Sequence, residues 1–370
     1  MYCFRAGMNV LYAPIKLLAR PRDRVVFLSR QRSEPSADFL LLADEIKRQS
    51  PSTDIVWSCR LGKQSDMGLS YVALMLHQMR LLAGARACVT ESYCPPISLL
   101  RHRRSLRVVQ IWHSAVAIKK FGWQTVGLPE GSDPDTARIM RMHAGYDWVC
   151  VGSEYQRQFF AEAMRQPLER ILPLGTAGAD RLPDYDRQAA LERLHQKYPR
   201  TKDRLVCVWS PTWRRGEAID CSALAALIDS GRVALIIRPH PLDDMTELFD
   251  SRAIIDRETP TLELMAAADA VISDYSGAAA EAALLGRQVF FYVPDLEHYA
   301  GQCGVNIDPT RVFPGLSFTT PEDMAAAINA IADGRPADAA AQSRVRELLA
   351  GGCDGHSAES IARLVLRGEE

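Results

Sequence analysis

Two histidines stand where predicted strands end, and a histidine in such a position can accept or donate a proton. His113 follows the apolar run Val108–Trp112, and the lysines Lys119 and Lys120 come shortly after it. Because the pKa of an imidazole is about 6.5, His113 suits a general base at neutral pH. The alternative is a structural histidine that hydrogen-bonds to a nearby backbone group.

His240 lies beside Arg238 in the segment Arg238–Pro241, directly after an apolar run. The two prolines fix the backbone there, so that both side chains project reproducibly. A pair of cations at a strand end suits a phosphate group. The alternative is a turn that carries a histidine by chance.

The strand end Ser273–Gly277 leads into the helical stretch Ala278–Leu285. A turn of small residues that opens a helix presents N–H groups and the positive end of the helix dipole to an anion. Ser276 adds a hydroxyl, and Glu281 is placed to reach a ribose hydroxyl. Every α/β protein contains such units, so this turn alone identifies no ligand.

Two further strand ends carry hydroxyl or cationic side chains. Ser210–Arg214 contributes Thr212 and Arg214, and the segment Ser29–Phe39 begins with Ser29, Arg30 and Gln31. Each could be a surface loop. Five such ends together favour a ligand site, because ligands of open α/β sheets bind beyond the carboxyl ends of the strands.

Short apolar runs alternate with helical stretches, which predicts parallel sheets covered on both faces. The predicted strands are Val25–Leu28, Ile55–Ser58, Ala87–Thr90, Val108–Trp112, Trp148–Val151 and Ile171–Leu174, then Leu205–Ser210, Ala234–Arg238, Ala253–Ile255, Ala270–Ser273 and Val289–Val293. Two such series predict two doubly wound, Rossmann-like α/β domains, residues 1–183 and 184–370, that face a cleft. We expect the last helix to pack back on the first domain.

Composition excludes several classes of protein. Lys and Arg number 44 against 45 Asp and Glu, so no overall basic field favours a nucleic-acid partner. The uncharged stretch Met67–Met79 is too short to span a bilayer, and no signal peptide is evident. The nine cysteines never show C-x-x-C spacing, which favours reduced thiols in a cytoplasmic protein over a zinc site or disulfide framework.

Taken in order, these motifs resemble those of the CDP-glycerol glycerophosphotransferase family, which builds teichoic acids and related phosphodiester polymers. Gln110–Gly122 resembles the family's tryptophan-histidine signature, Ser210–Arg214 its (A/S)-P-T-W-R and Arg238–Pro241 its R-x-H-P. Ser273–Leu285, Phe290–Tyr292 and Asp295–Glu297 are similar to its S-D-Y-S-S…A-L-L…F-Y…D-L-E pattern, and Ser29–Phe39 to its S-R-Q…P-S-x-D-F opening. The resemblance extends from about Val25 to Ala327.

The resemblance implies a GT-B-like fold, with the CDP donor bound mainly by the C-terminal domain and a lipid-linked acceptor approached from the N-terminal domain. His113 would take the proton of the acceptor hydroxyl, and His240 with Arg238 would stabilise the diphosphate as CMP leaves. The implied donor or phosphate ligands are Thr212, Arg214, Arg238, Ser276, Gly277 and Glu281, and the acceptor side comprises Ser29, Arg30, Gln31, Lys119 and Lys120. No metal or other cofactor is required, and a bound Mg²⁺ stays open.

The chain departs from the family pattern at several positions. Ser114 and Val116 stand where Gly or Ala is usual, and Gly277 replaces a second serine. The segment Gly175–Asp180, which contains Gly178, lacks the P-R of the family's G-x-P-R-x-D. Whether these changes alter the substrate stays open.

A lipid-linked acceptor also implies contact with the inner membrane surface. Lys16 and Arg20 lie beside apolar residues near the N-terminus, and Arg101, Arg103 and Arg104 follow the apolar stretch Ile97–Leu100. Each basic residue near an anionic leaflet contributes about 1 kcal/mol. The alternative is that both clusters are solvated helix ends.

We therefore expect a peripheral membrane enzyme on the cytoplasmic face of the cell membrane. It would transfer glycerol phosphate, or a related alditol phosphate such as ribitol phosphate, from CDP-glycerol or CDP-ribitol to a hydroxyl of a lipid-linked saccharide. One alternative is a GT-B glycosyltransferase that uses a nucleotide sugar. Another is a catalytically decayed homologue that binds the donor.

Overall fold

A computed structural model describes residues 2–61, 69–214, 219–240 and 252–368. Its strands build two six-stranded sheets in which all neighbouring strands are parallel. The first sheet contains β1 (Arg24–Ser29), β2 (Asp54–Cys59), β3 (Ala87–Thr90), β4 (Arg107–Gln110), β5 (Trp148–Cys150) and β6 (Ile171–Leu172). The second contains β7 (Leu205–Trp209), β8 (Val233–Ile237), β9 (Ile254–Ile255), β10 (Ala270–Ser273), β11 (Gln288–Tyr292) and β12 (Ser317–Phe318).

The predicted parallel α/β architecture is confirmed, and most strand bounds shift by one or two residues; the predicted Ile171–Leu174, for example, ends at Leu172. Two differences bear on the site and the topology. The two-residue strand β12 was not predicted, because so short a run leaves no periodic pattern. The predicted strand Val108–Trp112 is too long: β4 ends at Gln110, and Trp112 adopts a left-handed backbone with φ 51°. A left-handed residue cannot continue a β-strand.

The helices cover both series of strands. They are α1 (Tyr2–Leu18), α2 (Ala37–Gln49), α3 (Leu69–Gly84), α4 (Pro95–Leu99), α5 (Pro134–Ile139), α6 (Arg157–Met164), α7 (Arg187–Lys197), α8 (Cys221–Leu227), α9 (Thr261–Ala267), α10 (Ala278–Leu284), α11 (Leu296–Gln302), α12 (Pro309–Val312), α13 (Pro321–Ala332), α14 (Ala339–Ala350) and α15 (Ser357–Arg367). Ser36 begins α2 by accepting a hydrogen bond from the N–H of Phe39, and Thr320 begins α13 by accepting one from the N–H of Asp323. Such local caps are readable from sequence because the partners lie three residues apart.

The chain forms two compact units. Unit 1 comprises Met1–Ala115, Lys120–Asp180 and Gly351–Glu370, and unit 2 comprises Val116–Lys119 and Arg181–Ala350. In unit 1, α15 packs against α2, and its buried face joins the core that covers β1 and β3.

In each sheet the chain reverses direction at one strand. The order of the first sheet is β2-β1-β3-β4-β5-β6, so the chain leaves β1 towards β2 and later returns to the other side of β1 as β3. The order of the second is β12-β11-β10-β7-β8-β9, so β7 lies between β8 and β10. The crevice beyond such a topological switch point is where open α/β sheets bind ligands. The ends of β1 and β3, and of β7 and β10, are therefore the places to look for a site.

The first turn of α15 is held by a residue from a distant segment. The carboxylate of Asp180 accepts hydrogen bonds from the N–H groups of Ser357, at 3.0 Å, and Ala358, at 2.7 Å. These two N–H groups have no acceptor within the helix, so Asp180 supplies one.

Asp180→Ala should lower the free energy of unfolding by about 1–2 kcal/mol, the usual cost of losing a helix cap. Urea denaturation measures this change. The control is Asp135→Ala, which removes an exposed ion pair with Arg138 and should change stability by less than about 0.5 kcal/mol. Equal effects of the two substitutions would contradict the capping role.

Candidate functional site

In unit 2, the switch point of the second sheet is occupied by a buried carboxylate, Asp274, directly after β10. Its carboxylate accepts hydrogen bonds from the hydroxyl of Thr212 at 2.6 Å and from the backbone N–H of Thr212 at 2.8 Å. It also accepts a hydrogen bond from Nη1 of Arg214 at 2.8 Å. The structure thus brings together Thr212 and Arg214, which follow β7, with the turn that follows β10.

The guanidinium of Arg214 is almost enclosed by groups of the protein. Its side chain is only 9% exposed, and Nε and Nη2 bind the two oxygens of Asp295 at 2.7 and 3.2 Å. The stacked rings of Tyr275 and Tyr299 lie with their centroids 5.4 Å from it. Burial opposes its charge, but the hydrogen bonds and charges of Asp295 and Asp274 outweigh burial and raise the pKa of Arg214 above its ordinary value.

Ser276 and Gly277 begin α10 at this same edge. The hydroxyl oxygen of Ser276 accepts a hydrogen bond from the N–H of Ala278 at 3.2 Å, within the turn that precedes the helix, and Gly277 is the N-cap residue. Gly277 has a helical backbone with φ −62°, so its conformation does not require glycine. Glu281 is exposed on α10.

Arg238 and His240 follow β8, which is the neighbour of β7. Nη1 of Arg238 donates to the carbonyl of Asp256 at 3.0 Å, and its backbone N–H donates to the carbonyl of Trp209 at 2.8 Å. His240 is half-buried, and Pro241 lies outside the described residues. The predicted donor-side residues therefore all lie at the carboxyl edge of one sheet.

In unit 1, His113 lies in the loop after β4 and is exposed. Its Nδ1 lies 3.3 Å from the carbonyl oxygen of Glu91, and its ring centroid lies 4.4 Å from that of Trp112. When Nδ1–H donates to this carbonyl, the basic lone pair of the imidazole lies on Nε2. This tautomer suits a base that acts through Nε2.

The left-handed backbone of Trp112 turns the chain directly before His113. Its N–H donates to the side chain of Gln110 at 2.9 Å, and its ring stacks on Phe121 with centroids 5.0 Å apart. A tryptophan with positive φ is uncommon and costs energy, which tertiary contacts must offset. Here the aromatic contacts hold it.

Sequence reasoning missed a second histidine in this cluster. His143 is buried, its ring centroid lies 5.3 Å from that of Trp112, and its own φ is 60°. Burial, and secondarily the proximity of His113, lower the pKa of His143 to about 4, so its imidazole is neutral at pH 7. A single histidine between Met142 and Ala144 offers no sequence signal.

The predicted acceptor-side residues differ in the contacts that hold them in place. The N–H of Gln31 donates to the hydroxyl of Ser29 at 3.1 Å, and the N–H of Arg30 donates to that of Ser92 at 3.0 Å. Lys120 belongs to unit 1, whereas Lys119 belongs to unit 2, where it forms an antiparallel bridge with Val305. Ser114 belongs to unit 1 and is half-buried, and Val116 belongs to unit 2 and is buried.

The departure at Gly178 has a local explanation. Its N–H donates to Asp38 at 2.7 Å, and a Cβ at this position would lie 3.1 Å from the same carboxylate oxygen. Burial raises the pKa of Asp38, the N–H of Gly178 opposes that rise, and the negative charge of Glu91 adds to it. A larger residue at 178 would therefore displace the Asp38 carboxylate.

The two predicted membrane-contact segments are adjacent in unit 1. Nζ of Lys16 donates to the carbonyl of Arg101 at 2.8 Å, and Arg103 donates to the carbonyls of Lys16 and, at 2.8 Å, Ala19. Arg20, Arg101 and Arg104 are exposed, as are the apolar Val10, Leu11, Leu17 and Leu18 on or beside α1. None of the helices in the described ranges is long and apolar enough to cross a membrane.

A cavity of about 690 Å³ lies at the opposite, amino-terminal edge of the second sheet. Its lining includes Arg187, Arg204, Arg287 and Asp269, and Arg187 forms an ion pair with Asp269. None of the predicted site residues lines it. Within the described residues, no three His, Cys, Asp or Glu side chains are arranged to hold a metal ion.

A family model described as CDP-Glycerol:Poly(glycerophosphate) glycerophosphotransferase matches residues 11–367. The chain is 30% identical to a teichoic acid ribitol-phosphate primase of Bacillus spizizenii, over 76% of either chain. It is 26% identical to a teichoic acid glycerol-phosphate primase of the same organism, over 64% of this chain and 63% of that enzyme.

A solved structure of the wall teichoic acid polymerase TagF has a similar fold. The TM-score is 0.71 at 19% identity, and the alignment covers 98% of this chain and 93% of that one. The predicted GT-B-like fold class with two Rossmann-like parallel sheets is confirmed.

Arg214→Met should lower the free energy of unfolding by about 3 kcal/mol at pH 7, because it leaves two carboxylates without their buried cation. Although burial raises the pKa of Asp295, bonding to Arg214 holds it below its ordinary value. The stabilisation by this pair is therefore present above about pH 4 and lost as pH falls through the folded-state pKa. Urea titrations of both proteins at pH 7 and in acid measure the difference.

The matched control is Arg311→Met, which removes an exposed arginine of unit 2 and should change stability by less than about 0.5 kcal/mol. A stability difference between wild type and Arg214→Met that stays constant from pH 7 into acid would contradict the role of the ion pair.

Proposed function

Because the chain belongs to the CDP-glycerol:poly(glycerophosphate) glycerophosphotransferase family, we propose that it transfers an alditol phosphate from a CDP-activated donor to a hydroxyl of a lipid-linked acceptor, releasing CMP. Membership makes it a transferase of the glycerophosphotransferase type, as the motifs predict. The alditol is glycerol or ribitol, since the relatives above include primases named for each. The product would extend a teichoic-acid-type phosphodiester.

One observation supports this proposal most. Each sheet carries a set of family motifs at the carboxyl edge around its own switch point, with a candidate base in unit 1 and hydroxyl and cationic groups in unit 2. A phosphoryl transfer needs both kinds of group and no nucleophilic side chain.

The proposed transfer forms one bond at phosphorus and breaks another. The acceptor oxygen forms a bond to the phosphorus that carries the alditol, and the bond from that phosphorus to the bridging oxygen of CMP breaks. The hydroxyl proton passes to His113, whose tautomer presents Nε2. CMP leaves with the electron pair of the broken bond.

The donor-side roles follow from chemistry. Arg238 and His240 stabilise the diphosphate and the charge that grows on CMP, and Ser276 with Gly277 holds a phosphate at the start of α10. Glu281 reaches the ribose. Thr212 and Arg214 line the phosphate-binding turn while bound to Asp274.

The acceptor side is assigned to residues of unit 1 and to Lys119, which belongs to unit 2. Arg30 and Gln31 contact the acceptor saccharide, and Lys119 and Lys120 interact with its phosphates. Ser29 belongs to the same loop, but its hydroxyl is buried and donates to Glu91, so it supports the loop rather than touching the acceptor. These roles suit a guanidinium and an amide, which hydrogen-bond sugars, and cations, which attract a pyrophosphate.

His113→Ala should lower the rate of CMP release from CDP-glycerol or CDP-ribitol, with a short-chain lipid-linked disaccharide, by about 100-fold or more. Loss of the base removes the group that takes the acceptor proton. CDP binding should stay unchanged. The control, His356→Ala, removes an exposed histidine of unit 1 and should keep the wild-type rate.

Saturable CDP binding without CMP release from either donor would overturn the proposed function. Turnover with a nucleotide sugar would then identify a glycosyltransferase, and no turnover at all would identify a decayed homologue.

We also propose that the enzyme binds the cytoplasmic face of the cell membrane through Lys16, Arg20, Arg101, Arg103 and Arg104. Arg103 ties the two basic segments together by binding carbonyls at the end of α1. The exposed Leu17 and Leu18 lie beside the exposed Arg20, which is the arrangement of an interfacial surface.

Arg20→Glu with Arg104→Glu should weaken binding to phosphatidylglycerol-containing vesicles at least about tenfold, since each basic residue contributes about 1 kcal/mol. Vesicle sedimentation measures the change. The double charge reversal Arg311→Glu with Arg346→Glu, at exposed positions of unit 2, is the control and should not weaken binding. Equal loss in both variants would contradict a specific membrane surface.

A further inference from the structure

We propose that Glu91 is a positioning residue that fixes His113 and the acceptor-side loop Ser29–Gln31 relative to one another. The inference rests on the proposed function, because it assigns Glu91 to the step in which His113 takes the acceptor proton. Glu91 lies directly after β3 and belongs to none of the motifs that the sequence singled out.

The carboxylate of Glu91 joins two loops. Its side chain is only 3% exposed, and its two oxygens accept the hydroxyls of Ser29 and Ser36, each at 2.6 Å. Hydrogen bonds to an ionised acceptor are short and about twice as strong as neutral ones. Glu91 thereby fixes the end of β1 and the start of α2.

The backbone of the same residue reaches the candidate base. The carbonyl oxygen of Glu91 lies 3.3 Å from Nδ1 of His113. A partner on one ring nitrogen selects the tautomer and ring orientation of a histidine. A shift of Glu91 would therefore move the base and the acceptor-side loop together.

The place of Glu91 in the sheet supports this role. β1 and β3 are the strands on either side of the switch point, and Ser29 and Glu91 are the residues at their carboxyl ends. In unit 2, Thr212 and Asp274 follow β7 and β10, and the threonine hydroxyl donates to the carboxylate at the same 2.6 Å. Both sheets thus use a buried carboxylate to bridge their switch point.

Stability alone does not account for a carboxylate at this position. Glu91 forms a long ion pair with the exposed Arg32, whose Nε lies 3.9 Å away, and Asp38 adds a second negative charge nearby. Burying a charge without a close counter-ion costs free energy that an apolar residue would avoid. What the carboxylate supplies instead is two strong, directional bonds to loops at the candidate site.

The test is Glu91→Gln, which keeps the size of the side chain but replaces one of the two oxygens that accept the serine hydrogen bonds with an NH₂ donor. The value of kcat for CMP release should fall about 100-fold, as for a misplaced catalytic group. The KM for the CDP donor should change less than about threefold. In a His113→Ala background the same substitution should cause a much smaller loss, because the base is already absent and only the effect on the acceptor-side loop remains.

The control is Glu154→Gln, an exposed carboxylate of unit 1, which should retain wild-type kcat. Ser29→Ala is the second variant if Glu91→Gln does not fold, since it removes one hydroxyl and leaves the carboxylate in place. It should lower kcat about tenfold with the donor KM unchanged. A wild-type kcat in the variant, or a full additional loss in the His113→Ala background, would overturn the proposal.

A second measurement does not depend on turnover. Nitrogen NMR of histidine-labelled protein should show His113 as the Nδ1–H tautomer in the wild type and a shift towards the other tautomer in Glu91→Gln or Ser29→Ala. An unchanged tautomer in these variants overturns the role of Glu91 even if activity is lost. If the wild type releases no CMP, the proposed function fails, and the tautomer still decides whether Glu91 positions His113.

Discussion

A buried carboxylate at the switch point of each sheet is the interaction on which the candidate site depends. Asp274 in unit 2 and Glu91 in unit 1 both lie where water cannot solvate them, so their oxygens must find donors in the protein. The donors come from the loop that follows the neighbouring strand, a threonine in one case and serines in the other. Satisfying the charge therefore fixes the loops that carry the functional groups.

The two carboxylates are compensated differently. Asp274 shares the guanidinium of Arg214 with Asp295, so that one buried cation is paired with two carboxylates. Glu91 is held mainly by the neutral hydroxyls of Ser29 and Ser36.

Two residues close to His113 have strained backbones, and their conformations determine how the loop that carries His113 is oriented. Trp112 has a left-handed backbone, and so does His143, whose ring it contacts. The ring of Trp112 stacks on Phe121, and His143 is buried. A neutral His143 beneath the tryptophan adds no positive charge to compete with protonation of His113.

The sequence by itself determined the parallel α/β architecture, the strand ends that carry His113, Thr212, Arg238 and Ser276, and the helix caps at Ser36 and Thr320. These features depend on apolar runs or on contacts three residues apart, which a linear pattern records. Only the tertiary structure revealed Glu91, the part of Asp274 in holding Thr212, the buried His143 and the cap that Asp180 provides for α15. Ser29 and Glu91 are separated by 62 positions, as are Thr212 and Asp274, and the order of strands brings each pair to 2.6 Å. No local pattern marks such a pair, because the distance between its members is decided by which strand lies next to which.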